Sequence, residues 1–394
     1  MTSIEQRDVQ AVLAGVDDLL PLIAKRAQAT EELRRLPDET VAELTEVGFF
    51  KLLQPEQWGG YQADPTVFFE AVRRLASVCG STGWVASILG VHNWHLAQFD
   101  QQAQEDVWGD DPNVRVSSSY APMGAGHVVD GGYLVNGSWN WSSGCDHATW
   151  TFVGGPVIKD GKPVDFGSFL IPRSDYEIDD VWHVVGLKGT GSNTLKIKDV
   201  FVPRHRFLSY KAMNDHTAGG LKTNTDPLYK MPWGTVHPTT ISAPIVGMAY
   251  GAYAAHVEHQ GKRVRAAFAG EKAKDDPFAK IRIAEAASDI DAAWRQLMGN
   301  ISDEYALLKA GKEIPFELRA RARRDQVRAT GRAIASIDRL FEAAGATALM
   351  NDAPVQRFWR DAHAGRVHAA NDPERAYLIW GNHEFGLPPQ DTMV

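Results

Sequence analysis

The stretch HVVDGGYLVNGSWNW, residues 127–141, consists of short apolar runs with turn residues between them, and its Asp130-Gly-Gly and Asn136-Gly are both hairpin-grade turn signals. Short apolar runs punctuated by such turns predict paired β-strands. Its neighbours read the same way: VRVSSSY (114–120), TWTFVGGPV (149–157), DFGSFLIP (165–172) and TLKIKDVFVP (194–203). Strand text therefore runs from Val114 to about Leu208, enough for one small β-domain. The text on both sides is helical. Before it, Val9, Val12, Leu13, Val16, Leu19 and Leu20 recur at helical spacing, Pro37-Asp38-Glu39 and Pro65 open helices, QWGG (57–60) is a turn, and a further helix is predicted from Thr82 to Asp100. After it, helices are predicted near 238–270, 277–310, 315–343, 354–369 and 373–381, with Gly311 and Gly345 as stops.

The fold class is thus mainly α with a central β-domain. An N-terminal helical domain takes residues 1–112, a β-domain 113–212, and a C-terminal helical bundle 213–394. The bundle is led by an aperiodic, glycine-rich segment, 213–235, which reads either as a flexible loop beside a binding site or as an interdomain linker.

Composition narrows the partners. The 394 residues are 44% hydrophobic and 23% charged, an ordinary globular balance. Forty-one basic against 49 acidic side chains give −8, which offers a phosphate backbone nothing, so nucleic acid is not expected. Cys79 and Cys145 alone cannot build a disulfide framework or a thiolate metal cage. The first ten residues lack the apolar core of a signal peptide, and no apolar run reaches the ~18–20 residues of a membrane span, so a cytoplasmic protein with no membrane partner is expected.

Several motifs are missing. No GxGxxG follows a strand, and there is no P-loop, no HExxH and no Glu-x-x-His pair of the di-iron kind, so neither a resident nicotinamide nor a metal is expected. His92/His95 and His256/His259 sit three apart on predicted helices without a third ligand, and the arginines from Arg319 to Arg332 read as an ion-paired face or a subunit contact. The chemistry concentrates in Ser117-Ser118-Ser119-Tyr120 and Trp139-Asn140-Trp141-Ser142-Ser143-Gly144. Indoles to stack on, beside small hydroxyls to bond an edge, suit a flat heteroaromatic ligand, although packing alone also explains such residues in a β-domain.

The helical–β–helical order, QWGG, WNWSSG (139–144), KGTGSNTLKIKDVFVP (188–203) and RDAHAGRVHAA (360–370) resemble the acyl-CoA dehydrogenase fold along nearly the whole chain. The dehydrogenases carry a catalytic glutamate in Tyr-Glu-Gly after Arg-Asp-Ala. Here Arg360-Asp361-Ala362 is followed by His368-Ala369-Ala370, and alanine cannot abstract a proton. His368, with GVHNWHLAQFD (90–100), SSSYAPMGAG (117–126), NGSWNWSSGCDHATW (136–150) and GNHEFGLPPQDTMV (381–394), resembles instead the oxygenase components of two-component, reduced-flavin-dependent phenol hydroxylases, in the branch that acts on secosteroid phenols in bacterial cholesterol catabolism.

That resemblance implies a homotetramer, a separate NADH-dependent flavin reductase, and reduced FMN (FMNH2) and O2 as co-substrates, with FAD as the other flavin. It implies hydroxylation of a phenolic secosteroid ortho to its hydroxyl. It implies flavin contacts at Trp84, Ser118, Ser119, Tyr120, Trp141, Ser142, Ser143, Arg263, Ala346, Thr347, His368 and Ala369, with Arg263 on phosphate and either Arg263 or the last residues near a neighbour's site. Its catalytic positions fall on His92 toward the phenol, Ser143 toward the flavin ring and His368 toward oxygen, with Asp372 as another candidate for the phenolic proton. The competing readings are a dehydrogenase or flavin oxidase of the same fold, and a flavin-free binding scaffold.

Overall fold

A computed structural model describes residues 8–265 and 270–388. The predicted end of the first bundle helix and the Pro389–Val394 tail fall partly or wholly outside those residues. The N-terminal helices are α1 Val9–Leu33, α2 Asp38–Glu46, α3 Pro65–Ala76, α4 Gly80–Leu96 and α5 Gln101–Trp108. Pro65 starts α3, and Asp64 caps it by accepting from the Thr66 N–H. Every residue of α4 is buried, as a helix apolar all round must be. It is shorter than predicted, because Asp100 turns the chain by capping α5 through the Gln102 N–H.

One sheet of eight strands follows: β1 Val116–Ser119, β2 Gly124–Val129, β3 Gly132–Ser142, β4 Trp150–Lys159, β5 Lys162–Pro172, β6 Glu177–Asp179, β7 Asn193–Pro203 and β8 Phe207–Ser209. The order is β6-β7-β3-β2-β4-β5-β8, with β1 parallel to β4. Asp130-Gly131-Gly132 makes the β2–β3 hairpin, with Gly131 at φ 76°. Asn136-Gly137 does not turn the chain. It lies inside β3 at a register shift against β7, and the Asn136 side chain accepts from the Asp199 N–H at 2.8 Å, so the turn-forming amide serves a bulge instead.

The remaining helices are α6 Tyr210–Asn214, α7 Trp233–Lys262, α8 Pro277–Lys309, α9 Phe316–Ala344, α10 Pro354–Arg366 and α11 Pro373–Glu384. Segment 213–235 is packed structure, a correction to the flexible loop. It holds 3-10 turns at Gly219–Lys222 and Pro227–Lys230, Leu228 and Tyr229 are fully buried, and the Asn224 amide donates to Ala97 O (2.7 Å) and Gln104 Oε1 (2.9 Å). Side-chain bonds and two buried apolar residues supply order that periodicity does not reveal. The expected 212/213 boundary cuts through α6, and α7 begins at Trp233, behind Pro232.

Loop 186–192 pins the sheet to the helices. Leu187 (φ 53°) donates its N–H to buried Asp361 at 2.6 Å, and Gly189 donates to Ser81 Oγ at 3.2 Å. Arg360 forms a two-point pair with Glu31, at 2.7 and 3.1 Å. A Cβ on Gly186 would stand 2.1 Å from Arg360 O. Gly186→Ala is therefore expected to destabilise the protein by about 2–4 kcal/mol through backbone displacement, read as a lowered denaturation midpoint. The Arg face is ion-paired as expected: Arg321 binds Asp303 at 2.5 Å and Arg324 binds Asp325 at 2.8 Å.

Candidate active site

Trp84, Ile88 and His92 stand at four-residue spacing on α4 and so share one face. The ends of two strands face them. β1 delivers Ser118 and Ser119 with Tyr120 just beyond, and the Ser119 hydroxyl donates to Asn140 O at 2.7 Å. β3 ends in a register shift with Trp141 at φ 67°, a strained value for a non-glycine residue, which exposes the Trp141 indole (60%) and turns Ser142 and Ser143 inward. Gly144 (φ 71°) lets this turn press on α4, since a Cβ there would lie 2.9 Å from Val85.

Ser143 is the centre of a polar chain. Trp84 Nε1 donates to its hydroxyl at 3.2 Å, the Ser192 hydroxyl lies 2.8 Å from it, and Thr190 Oγ1 lies 2.7 Å from Ser192. Trp84 also meets His368 edge-on at 6.1 Å between ring centroids.

Two histidines close the site with opposite polarity. His92 Nδ1 lies 2.5 Å from Val116 O, and a carbonyl only accepts, so Nδ1 carries the hydrogen and Nε2 offers a lone pair. That Nε2 is buried without a partner. His368 is reversed: its Nδ1 accepts from the Ala370 N–H at 3.1 Å, so the neutral ring presents an Nε2 hydrogen. Burial holds both rings down to a pKa of about 4, hence neutral at physiological pH.

The predicted set divides in two. Trp84, His92, Ser118, Ser119, Tyr120, Ser142, Ser143 and His368 converge, with Trp141 at the rim and Ala369 exposed beside His368. Arg263, Ala346 and Thr347 gather at the far end of α7, where Arg263 donates to Ala343 O at 3.0 Å and abuts Gly345, and Thr347 Oγ1 lies 3.2 Å from His259 Nε2. From the start of α7, near His237, to Arg263 is roughly 40 Å at 1.5 Å per residue. Asp372 caps α11, its Oδ1 accepting from the Glu374 and Arg375 N–H groups.

Sequence reading does not assign Thr190, Ser192 or His237 to the site; it reads His95 only as the partner of His92 in a histidine pair, and Trp233 only as part of the 213–235 segment. Thr190 and Ser192 stand in KGTGSN, a motif read only for the fold. His237 follows the segment read as a loop, so nothing tied it to His92.

The convergent cluster fits a flavin. It combines indole walls, neutral hydroxyls and two oriented histidines, and the Ser142 Oγ and His92 Nε2 are buried polar atoms with no partner. No group of His, Cys, Asp or Glu that could hold a metal occurs among the described residues.

The comparisons agree. Residues 11–109 match the acyl-CoA dehydrogenase N-terminal domain, and 239–373 its C-terminal domain. The chain is 86% identical, over all of both chains, to the flavin-dependent monooxygenase oxygenase subunit HsaA of Mycobacterium tuberculosis. It is 77% identical to the HsaA subunit of Rhodococcus jostii, over 96% of this chain and 99% of that one. The crystal structure of the HsaA monooxygenase from M. tuberculosis superposes with a TM-score of 0.95 at 84% identity, covering 98% of this chain and 100% of the other. The chain belongs to the oxygenase subunits of flavin-dependent monooxygenases.

The oxygenase keeps the acyl-CoA dehydrogenase fold and lacks its base, since Ala369 stands exposed where the glutamate would be. The dehydrogenase and binding-scaffold alternatives are not favoured. An oxygenase subunit also implies a partner that supplies reduced flavin. No helix among the described residues is long and apolar enough to cross a membrane.

Proposed function

We propose that this oxygenase hydroxylates a phenolic secosteroid ortho to its hydroxyl, giving a catechol in bacterial cholesterol catabolism, with reduced FMN from a separate NADH-dependent reductase and O2 as co-substrates. The observation that carries the mechanism is the opposed polarity of His92 and His368 across one buried cluster. Bound reduced flavin supplies two electrons to oxygen. The protein's residues do the rest.

His92 Nε2 accepts the phenol O–H bond and draws electron density into the ring, which makes the ortho carbon a better nucleophile. His368 Nε2–H donates toward the oxygen side, stabilising negative charge as it develops. Ser143, held by Trp84 and Ser192, offers its hydroxyl to the flavin ring edge. Tyr120, Phe152 and Trp233 exclude water around the reacting atoms.

The separation of Arg263, Ala346 and Thr347 from the ring cluster supports a homotetramer in which they hold the flavin phosphate of a neighbouring subunit. Exposed Tyr377, Leu378, Phe385 and Leu387 on and after α11 suit burial in such an assembly. Cytoplasmic location is part of this reading.

Ser143→Ala is expected to shorten the lifetime of the oxygen-activated state about 10–100-fold, at ~1.4 kcal/mol per decade, and to uncouple reductant use from product. Stopped-flow absorbance reads the first effect, and peroxide release the second. The function itself is tested by supplying reductase-generated FMNH2, the secosteroid phenol and isotopically labelled O2. One labelled oxygen ortho to the phenol is expected; absence of labelled catechol refutes the proposal.

A further inference from the structure

His92 accepts the phenolic hydrogen but cannot pass it on, because its other nitrogen is committed to the Val116 carbonyl. Burial also penalises a charged His92. The proton therefore needs another route, and the His368 side of the site needs one, because the oxygen atom not transferred to the ring leaves as water.

The ring of His237, on the second turn of α7, stands between the two ends. It stacks on Trp233 (4.6 Å, 11°), meets Tyr120 edge-on (5.3 Å, 83°) and lies 6.3 Å from the His368 ring. Tyr120 in turn lies 6.0 Å from His92. Trp233 and Tyr120 fix the plane of the imidazole. No hydrogen bond to its nitrogens occurs among the described residues, and neither nitrogen is among the sealed, unpartnered buried atoms. The 6.3 Å between the ring centroids is too wide for a direct hydrogen bond to be assigned between the two rings and is of the size that one bridging oxygen atom can fill.

We propose that His237 is a third active-site histidine, which carries the phenolic proton from the His92 end of the site to the oxygen end beside His368. This rests on the phenol hydroxylation proposed above. In the step, the phenolic hydrogen turns from its hydrogen bond with His92 Nε2 to one ring nitrogen of His237, which takes the proton while the other ring nitrogen gives its proton to the oxygen atom that leaves as water. The ring switches tautomer and carries no lasting charge, an ability that a neutral imidazole has and an amide side chain lacks. As the ring's electron pair forms the ortho carbon–oxygen bond, the oxygen–oxygen bond breaks, and its pair stays on the oxygen that His237 protonates and that leaves as water. The ortho carbon then releases its proton, the C–H pair restores the aromatic ring, and a proton returns to the phenol oxygen. The overall balance is one phenol, one O2 and one FMNH2 giving one catechol, one FMN and one water.

The surroundings keep His237 neutral. Burial first of all, and then the buried guanidinium of Arg323 on α9, disfavour a positive ring, while Tyr120 and, beyond Trp233, Tyr210 are held protonated by burial. Arg323 is fixed by Gln326 and by Ala370 O at 3.3 Å.

The test uses His237→Phe, which keeps the stack on Trp233, and His237→Gln, which keeps polarity without tautomer exchange. Both are first checked for wild-type thermal melting. The first readout needs no flavin: 4-nitrophenol is titrated on the protein alone, and its visible phenolate band gives the apparent pKa of the bound phenol. Both variants are expected to bind the probe within about threefold of wild type but to raise its bound pKa. In single turnover both are expected to hydroxylate about 30–100-fold more slowly at neutral pH, recovering as the pH rises and the phenol ionises unaided. An unchanged bound pKa, or a rate loss equal at every pH, would overturn the relay. Wild-type protein that makes no catechol would refute the underlying function instead.

Discussion

Replacing His92 by phenylalanine is expected to lower the rate of phenol hydroxylation by about 10²–10⁴-fold, the usual worth of a positioned acid–base group. The expectation follows from one contact. Val116 O takes the Nδ1 hydrogen and leaves Nε2 as an acceptor with no protein partner, buried among Tyr120, Phe152 and His95. Phenylalanine keeps the edge-on contacts with Tyr120 and Phe152 and removes only the acceptor. Flavin affinity should stay within a few-fold, because Trp84, Ser143 and His368 are untouched. His92→Gln keeps a donor for Val116 O and guards against misfolding of the phenylalanine variant. Rapid-quench measurement of catechol formation checks the expectation; a rate within tenfold of wild type in both variants would remove His92 from the chemistry.

The second large effect is loss of stability in mild acid. His92, His147, His256 and His368 are held at a pKa of about 4, first of all by burial, and burial pushes His95 and His237 well below the ordinary value. Their folded pKa values are depressed, so near pH 5 the unfolded chain binds protons that the folded one refuses. Stability therefore rises with pH between about 4 and 6.5 and falls as acid is added. Three carboxyls act in the opposite sense. Burial raises Asp361 to about 6, Glu304 to about 8 and Asp146 above its ordinary value, so each binds its proton more readily folded than unfolded. With His216 also lowered, seven groups against three leave about four protons taken up on unfolding, on the order of 5 kcal/mol per pH unit. A domain's whole stability is about 5–15 kcal/mol, so unfolding is expected near pH 5. Urea midpoints between pH 7 and 5 test this, and a flat profile would contradict the burial of these rings.

The fold was legible where side-chain pattern and backbone agree. The short apolar runs around Asp130-Gly-Gly became the β2–β3 hairpin, Pro65 opened α3, and Gly345 stopped α9. It was illegible where side chains bond backbone at long range. Asn224 ties 213–235 to Ala97 and Gln104, far away in sequence, and Asn136 exchanges a hairpin for a bulge. The site shows the same division. Residues inside one motif, such as Ser143 beside Trp141, could be read together. Ser192 and His237 enter only because loop 186–192 and the first turns of α7 come to meet them, a fact of tertiary packing with no local signature. The partition of the flavin-contact set is also invisible in sequence: one long helix is predicted near 238–270, but nothing there reveals that the ring cluster gathers at its first turns and Arg263, Ala346 and Thr347 at its far end.

The most direct measurement mixes anaerobic protein and reduced FMN with oxygenated buffer in a stopped-flow, with and without the secosteroid phenol. The account predicts a long-lived near-ultraviolet transient before oxidised flavin returns, decaying into catechol when the phenol is present. Immediate return of oxidised flavin, the same with phenol or without it, would contradict it.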